Sequence, residues 1–135
     1  MKGITEIKVR GYHLDIYGHV NNARYIEFLE EARWAIFDDS DVGISIMAKG
    51  LAFTVVNINV SYKNEARVNE TLVIYTEPKA FGSKSVTLSQ NAFRKSDGKP
   101  VIEAEVTFVL VDRNTGKAIA LDDEIKNILL GVGNH

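Results

Sequence analysis

A single change of period along the chain restricts its fold more than any other feature. From Asn22 to Asp38, residues set at 100° steps gather Tyr25, Phe28, Leu29, Ala32, Ala35 and Ile36 into one apolar arc, which predicts a helix of about four to five turns. Beyond it the period falls to two. In "AFTVVNINVSY" the even positions Ala52, Val56, Ile58, Val60 and Tyr62 form an apolar face broken only by Thr54, while Asn57, Asn59 and Ser61 occupy the odd face. The alternation returns in Leu72 and Ile74, in Val86, Leu88 and Ala92, and in Ile102, Ala104, Val106, Phe108 and Leu110. A strand over residues 4–10 precedes the helix, and residues 122–131 suit a short terminal helix.

These elements predict an α+β fold, a curved antiparallel sheet of about five strands wrapped around a long central helix. Asn69-Glu70 and Asp97-Gly98 are short turn signals, so the four later strands are expected to form a meander. The polar stripe of the helix is narrow, holding Arg24, Glu27, Glu31 and Asp38. Glu30 and Arg33 fall in a mixed sector beside Ile26, Trp34 and Phe37, where a salt bridge between them or to an interface partner is expected. With Phe53 and Val55 assigned to the outer face of the sheet, this patterning predicts that a second subunit covers part of the surface. Asn57 and Asn59 suit such a contact, because their amides need partners there.

Composition limits the function classes. A length of 135 residues with 45% hydrophobic residues suits one domain spanning 1–135, and no repeat or linker divides it. A net charge of −2 gives no broad attraction for nucleic acid or anionic lipid. The absence of cysteine removes disulfides, thiol nucleophiles and cysteine-based metal sites, and fits a reducing compartment. No run approaches the ~20 apolar residues of a membrane span, and "MKGITEIKVRGYH" lacks the apolar core of a signal peptide. The expected location is the cytoplasm.

The chemistry-bearing stretch is "DIYGHVNNARY", residues 15–25, on the loop that leads into the helix. Asn21 or Asn22 can cap the helix, yet Arg24 and Tyr25 stand where a capping box needs Glu or Gln, so first-turn amides can remain free to meet developing negative charge. Asp15 can activate water or attack a carbonyl itself, which suits acyl transfer without metal or cysteine. From position alone it is more often a turn or capping residue. His19 can act as an acid, or simply bond backbone and shape the loop. His13, Asp15 and His19 together could ligate iron, but nothing else in the sequence supports a metal, and neither metal nor cofactor is expected.

At these residues the chain resembles a known family. "VRGYHLDIYGHVNNARYIEFLEEARW" is similar to the hotdog-fold acyl-CoA thioesterases of the 4-hydroxybenzoyl-CoA thioesterase type, whose signature stands here as Asp15, Gly18, His19, Val20, Asn21, Asn22 and Tyr25. Through "AFTVVNINVSY", Lys84-Ser85 and "KAIAL" it further resembles the bacterial long-chain acyl-CoA thioesterases of the FadM type. The resemblance implies a hotdog fold and hydrolysis of fatty acyl-CoA. Asp15 would be the catalytic carboxylate, the Asn22 backbone amide the donor to the thioester carbonyl, and His19 a supporting group. It also implies CoA phosphate contacts at Lys84 and Lys117, acyl-tunnel positions at Phe28 and Phe53, and a site at a dimer interface in dimers or tetramers. Two other classes stay open: a hotdog hydratase or dehydratase, which needs an acid and a base at the acyl α and β carbons, and a non-catalytic acyl-CoA-binding module.

Overall fold

The structure, a computed structural model, describes residues 1–131, so the last four residues of the expected 1–135 span lie outside the described residues. Strand β1 (Gly3–Lys8) leads through a 3-10 turn at Gly11–His13 to helix α1 (Asn22–Asp39) and a short helix α2 (Val42–Ala48). Strands β2 (Leu51–Tyr62), β3 (Thr71–Phe81), β4 (Ser85–Arg94) and β5 (Pro100–Asp112) follow, then helix α3 (Asp123–Leu130). The five strands form one antiparallel sheet in the order β1-β3-β4-β5-β2.

The core lies between the sheet and α1. Leu72, Ile74, Val86, Leu88, Ile102, Val106 and Leu110 are buried on alternate positions of β3, β4 and β5, as the period of two requires. Tyr25, Phe28, Leu29, Ala32 and Ile36 of α1 pack onto them, and each large apolar side chain buried in this way contributes about 1.5–3 kcal/mol. Gly3 is needed where α1 meets β1: a Cβ there would lie 2.8 Å from Ile36 Cγ1. Two polar side chains, Thr76 and Gln90, are buried among the described residues of a core that forms two clusters. Gln90 donates to Leu29 O at 3.1 Å and Thr76 Oγ1 at 3.0 Å and accepts from Arg33 Nη1 at 2.9 Å, so both ends of its amide are satisfied. Arg33 therefore bonds Gln90, not Glu30, whose carboxylate accepts from Trp34 Nε1 at 3.3 Å.

The expected α+β plan is present, with three differences. Only β3, β4 and β5 form a meander. Beyond β2 the chain crosses to the other edge, where Asn69, with φ of 67°, turns against β1 through Asn69 N–H to Val9 O and Val9 N–H to Glu70 O. Asn69-Glu70 is thus a turn within a crossover. The second difference is a β-bulge at Val56: Val55 opposes Phe108 and Asn57 opposes Thr107, so the extra residue reverses the parity of β2. Leu51, Phe53 and Val55 consequently lie on the same inner face as Ile58, Val60 and Tyr62, and the expected outward Phe53 and Val55 point inward. The third is α2, whose one buried pair, Val42 and Ile46, is too short a pattern to show a period.

Helix α1 packs most closely over β1 and β3 and meets β2 through side chains, Tyr25 against Tyr62 and Phe37 against Phe53, leaving part of the β2 edge exposed. Val55, Val56, Tyr62 and, on the facing flank of the helix, Ile26 and Trp34 are exposed. Asn57 and Asn59 are exposed on the outer face. Among the described residues no helix is long and apolar enough to cross a membrane.

Candidate active site

Asp15 closes its own turn. Its Oδ1 accepts from Tyr17 N at 2.8 Å and His19 N at 3.3 Å, while its N–H donates to His19 O at 2.8 Å. Gly18, with φ of +77°, takes the left-handed conformation that this tight loop needs and donates to Asp15 O at 3.1 Å. The turn and catalytic readings are therefore compatible, because Asp15 Oδ2 has no hydrogen-bond partner among the described residues.

The start of α1 supplies the other half. Asn21 is the N-cap: its Oδ1 accepts from Ala23 N and its carbonyl from Arg24 N, each at 2.9 Å. Asn21 N itself donates to His13 O. Between these bonded amides the Asn22 N–H has no partner among the described residues. It is a backbone donor at the positive end of an 18-residue helix, without a protein acceptor.

Asp15, His19 and Asn22 share a cavity of about 230 Å³ with Tyr25, Tyr62 and Glu65. Tyr62 Oη donates to Asn22 O at 3.2 Å, and buried Tyr25 Oη accepts from Ala66 N at 3.1 Å, with burial raising its phenol above the usual range. The His19 main chain shapes the loop as expected, but its ring pairs with Glu65, Nε2 to Oε2 at 2.9 Å. A hydrogen bond from Arg67 holds the Glu65 carboxyl below the ordinary carboxylate range. Sequence reasoning missed Glu65, Tyr62 and Lys63, which also lines the cavity. Tyr62 had one signal, its place at the end of an apolar face; Glu65, inside the charged "KNEAR", had none.

The remaining candidates lie apart from the carboxylate. His13 turns away from Asp15: its Nδ1 accepts from Arg10 N at 2.8 Å and its ring packs on Phe28 at 4.8 Å. Burial and then the charge of Arg24 keep it below the usual imidazole range. Phe28 is a core residue beneath the cavity's loop. Phe53 lies towards the opposite end of α1, its ring 5.0 Å from that of Phe37 and edge to face with Phe108 at 5.2 Å. Lys84 and Lys117 are exposed at the other end of the sheet, on segments joined by Leu121 N–H to Ser83 O. From the rung Tyr62–Ile102 beside the cavity to the rung Ser85–Val109 is roughly 23 Å along β5. A larger hollow of about 990 Å³ on the outer sheet face, by Tyr75 and Phe93, contains no free helix amide.

A carboxylate with one free oxygen beside an unpartnered helix N–H can add water to a carbonyl carbon and bind the resulting oxyanion. Comparisons with known proteins show which family the chain resembles. The family model described as the thioesterase-like superfamily matches residues 9–129. The chain is 47% identical over 125 residues to the long-chain acyl-CoA thioesterase FadM of Escherichia coli (strain K12), covering 93% of this chain and 95% of that one. The solved structure of YbaW, a probable thioesterase from Escherichia coli, superposes with a TM-score of 0.89 at 47% identity, covering 93% and 95% of the two chains. Slr0204, a 1,4-dihydroxy-2-naphthoyl-CoA thioesterase from Synechocystis, shares the fold at 13% identity, with a TM-score of 0.80 and 96% of each chain covered.

Proposed function

Since the chain belongs to the thioesterase-like superfamily, we propose that it hydrolyses long-chain acyl-CoA to free fatty acid and CoA, using Asp15 and the Asn22 N–H. The observation that carries this reading is that Asp15 and Asn22 line one cavity, with an Asp15 oxygen and the first-turn N–H both without partners among the described residues. In the water route, Asp15 Oδ2 takes a proton as the water oxygen bonds to the thioester carbon. The carbonyl oxygen becomes negative against the Asn22 N–H and the end of α1. The C–S bond then breaks, the electron pair leaves on CoA sulfur, and Asp15 returns the proton. In the nucleophilic route Asp15 Oδ2 bonds to that carbon itself, CoA thiolate leaves, and water cleaves the resulting anhydride. Both routes need the same two protein groups.

The long-chain preference is supported by the relative's activity and by the apolar strip of exposed Val55 and Tyr62 and half-buried Ile58 and Val60 on the inner face of β2. A series of acyl-CoA substrates followed by thiol release is expected to show kcat/KM rising into the long-chain range. A profile that peaks at short chains would reject that preference.

The same open edge supports a site completed by a second copy of the chain. Strand β2 ends the sheet with its outer backbone groups unpaired, and Val55, Val56, Ile26 and Trp34 are exposed nearby. Sedimentation is expected to show a dimer or dimer of dimers with no major monomer. A monomer fully active at nanomolar concentration would contradict this. The proposed location is the cytoplasm, where the acyl-CoA substrate and the missing cysteines both fit.

Lys84 and Lys117 are proposed to meet CoA phosphates at that interface as mobile point charges. Lys84→Ala should then raise KM with little change in kcat, because the contact is equal in ground and transition states. The defect should shrink as salt screens the wild-type attraction, and should vanish with an acyl-pantetheine thioester. Equal defects on both substrates would refute the phosphate role.

A further inference from the structure

The pairing of His19 with Glu65 has no task in the hydrolysis just described, although both residues line its cavity. Glu65 is held from two sides: His19 Nε2 lies 2.9 Å from its Oε2, and Arg67 Nη2 lies 2.7 Å from its Oε1. Its main chain is tied down too. Arg94 Nη1 donates to Glu65 O at 3.3 Å, and the next residue, Ala66, bonds Tyr25 Oη through its N–H and Val20 N–H through its carbonyl.

The pair adds little to stability, since its side chains are 36% and 43% exposed. What it does supply is direction. An imidazole whose Nε2 lies 2.9 Å from a carboxylate oxygen is restrained in its ring plane by that contact. His19 in turn holds Asp15, giving its N–H to Asp15 Oδ1 and taking the Asp15 N–H on its carbonyl. A shift of the His19 backbone is therefore a shift of the catalytic turn, and the ring contact with Glu65 restrains that residue.

We infer that Glu65 is a positioning residue for the hydrolysis, acting through His19: it clamps the turn that carries Asp15 against the segment following β2 and fixes the imidazole at the cavity. This rests on the thioesterase reading. The contact is neither in the core nor at the CoA phosphates, so its loss is felt in the chemical step, not in binding.

Kinetics of Glu65 variants on the intact protein test it. Glu65→Ala is expected to lower kcat about 10-fold with KM within about twofold, by analogy with carboxylates that orient metal-bound histidines, whose loss costs about 10- to 100-fold. Glu65→Gln, which keeps the side-chain length and a polar group beside His19 Nε2, should recover most of that loss. On a His19→Ala background, Glu65→Ala should have no further effect. A Glu65→Ala variant with more than half of wild-type kcat would overturn the inference. So would a Gln variant no better than Ala, or an undiminished effect on the His19→Ala background. Wild-type protein without hydrolytic activity would overturn this inference and the thioesterase reading together; active wild type with insensitive Glu65 variants would overturn this one alone.

Discussion

Asp15→Asn is expected to lower kcat at least ~100-fold while the protein stays folded. The argument rests on the two carboxylate oxygens having separate tasks. Oδ1 accepts from Tyr17 N and His19 N, and the amide oxygen of Asn can keep both bonds, so the turn from 15 to 19 survives. Oδ2, the free atom, is replaced by an NH₂ group that can neither take a proton from water nor attack a thioester carbon. Thermal unfolding should therefore match wild type while turnover collapses. A folded Asn variant that keeps most of its kcat would remove Asp15 from the chemistry.

The second large effect is expected at a backbone atom. Asn22→Pro deletes the one unpartnered N–H at the start of α1 and replaces it with a ring carbon, which should cost about 100- to 1,000-fold in kcat. Elsewhere in a helix such a change would break it, but Asn22 is the first helical position, where proline is well accommodated and no intrahelical bond is lost. Asn21, with φ of −61° and ψ of 139°, already has the extended conformation that a residue before proline requires. Asn21 also keeps its bonds to Ala23 N and Arg24 N, so the cap remains. Asn22→Ala is the control: it retains the N–H and should keep activity within a few-fold. A folded Pro variant as active as the Ala variant would show that this amide does not meet the thioester.

The sequence reveals most where the structure is local. Helix α1 begins at Asn22 as its apolar arc predicts, and the inward residues of β3, β4 and β5 are those that the period of two selects. Asp15, His19 and Asn22 were legible as a group because eight positions of one loop contain them all. The failures are non-local. Phe53, Thr54, Val55 and Val56 place apolar groups on both faces of β2, and only its register with β5 selects Phe53 and Val55 and makes Val56 the bulge. Asn69 is legible as a turn, but the bonds to Val9 that make it part of a crossover join segments some sixty residues apart. Glu65 reaches His19 from a distant part of the sequence too, out of a run of charges that looks like solvated surface. The free donor at Asn22 was foreseeable from the missing capping box; that Asn21 satisfies both following amides and leaves this one alone required the geometry.

The central claim is that this chain itself cleaves acyl-CoA, and a single-turnover reaction with enzyme in excess of a long-chain acyl-CoA tests it most directly. Trp34, the sole tryptophan, packs on Phe37 beside Phe53, so its fluorescence is expected to respond to an acyl chain on that flank, while a thiol reagent reports the reaction. The account predicts a fluorescence change on binding, followed by one equivalent each of free thiol and free fatty acid. A fluorescence change with the thioester left intact, or with the acyl chain hydrated and still joined to CoA, would contradict it.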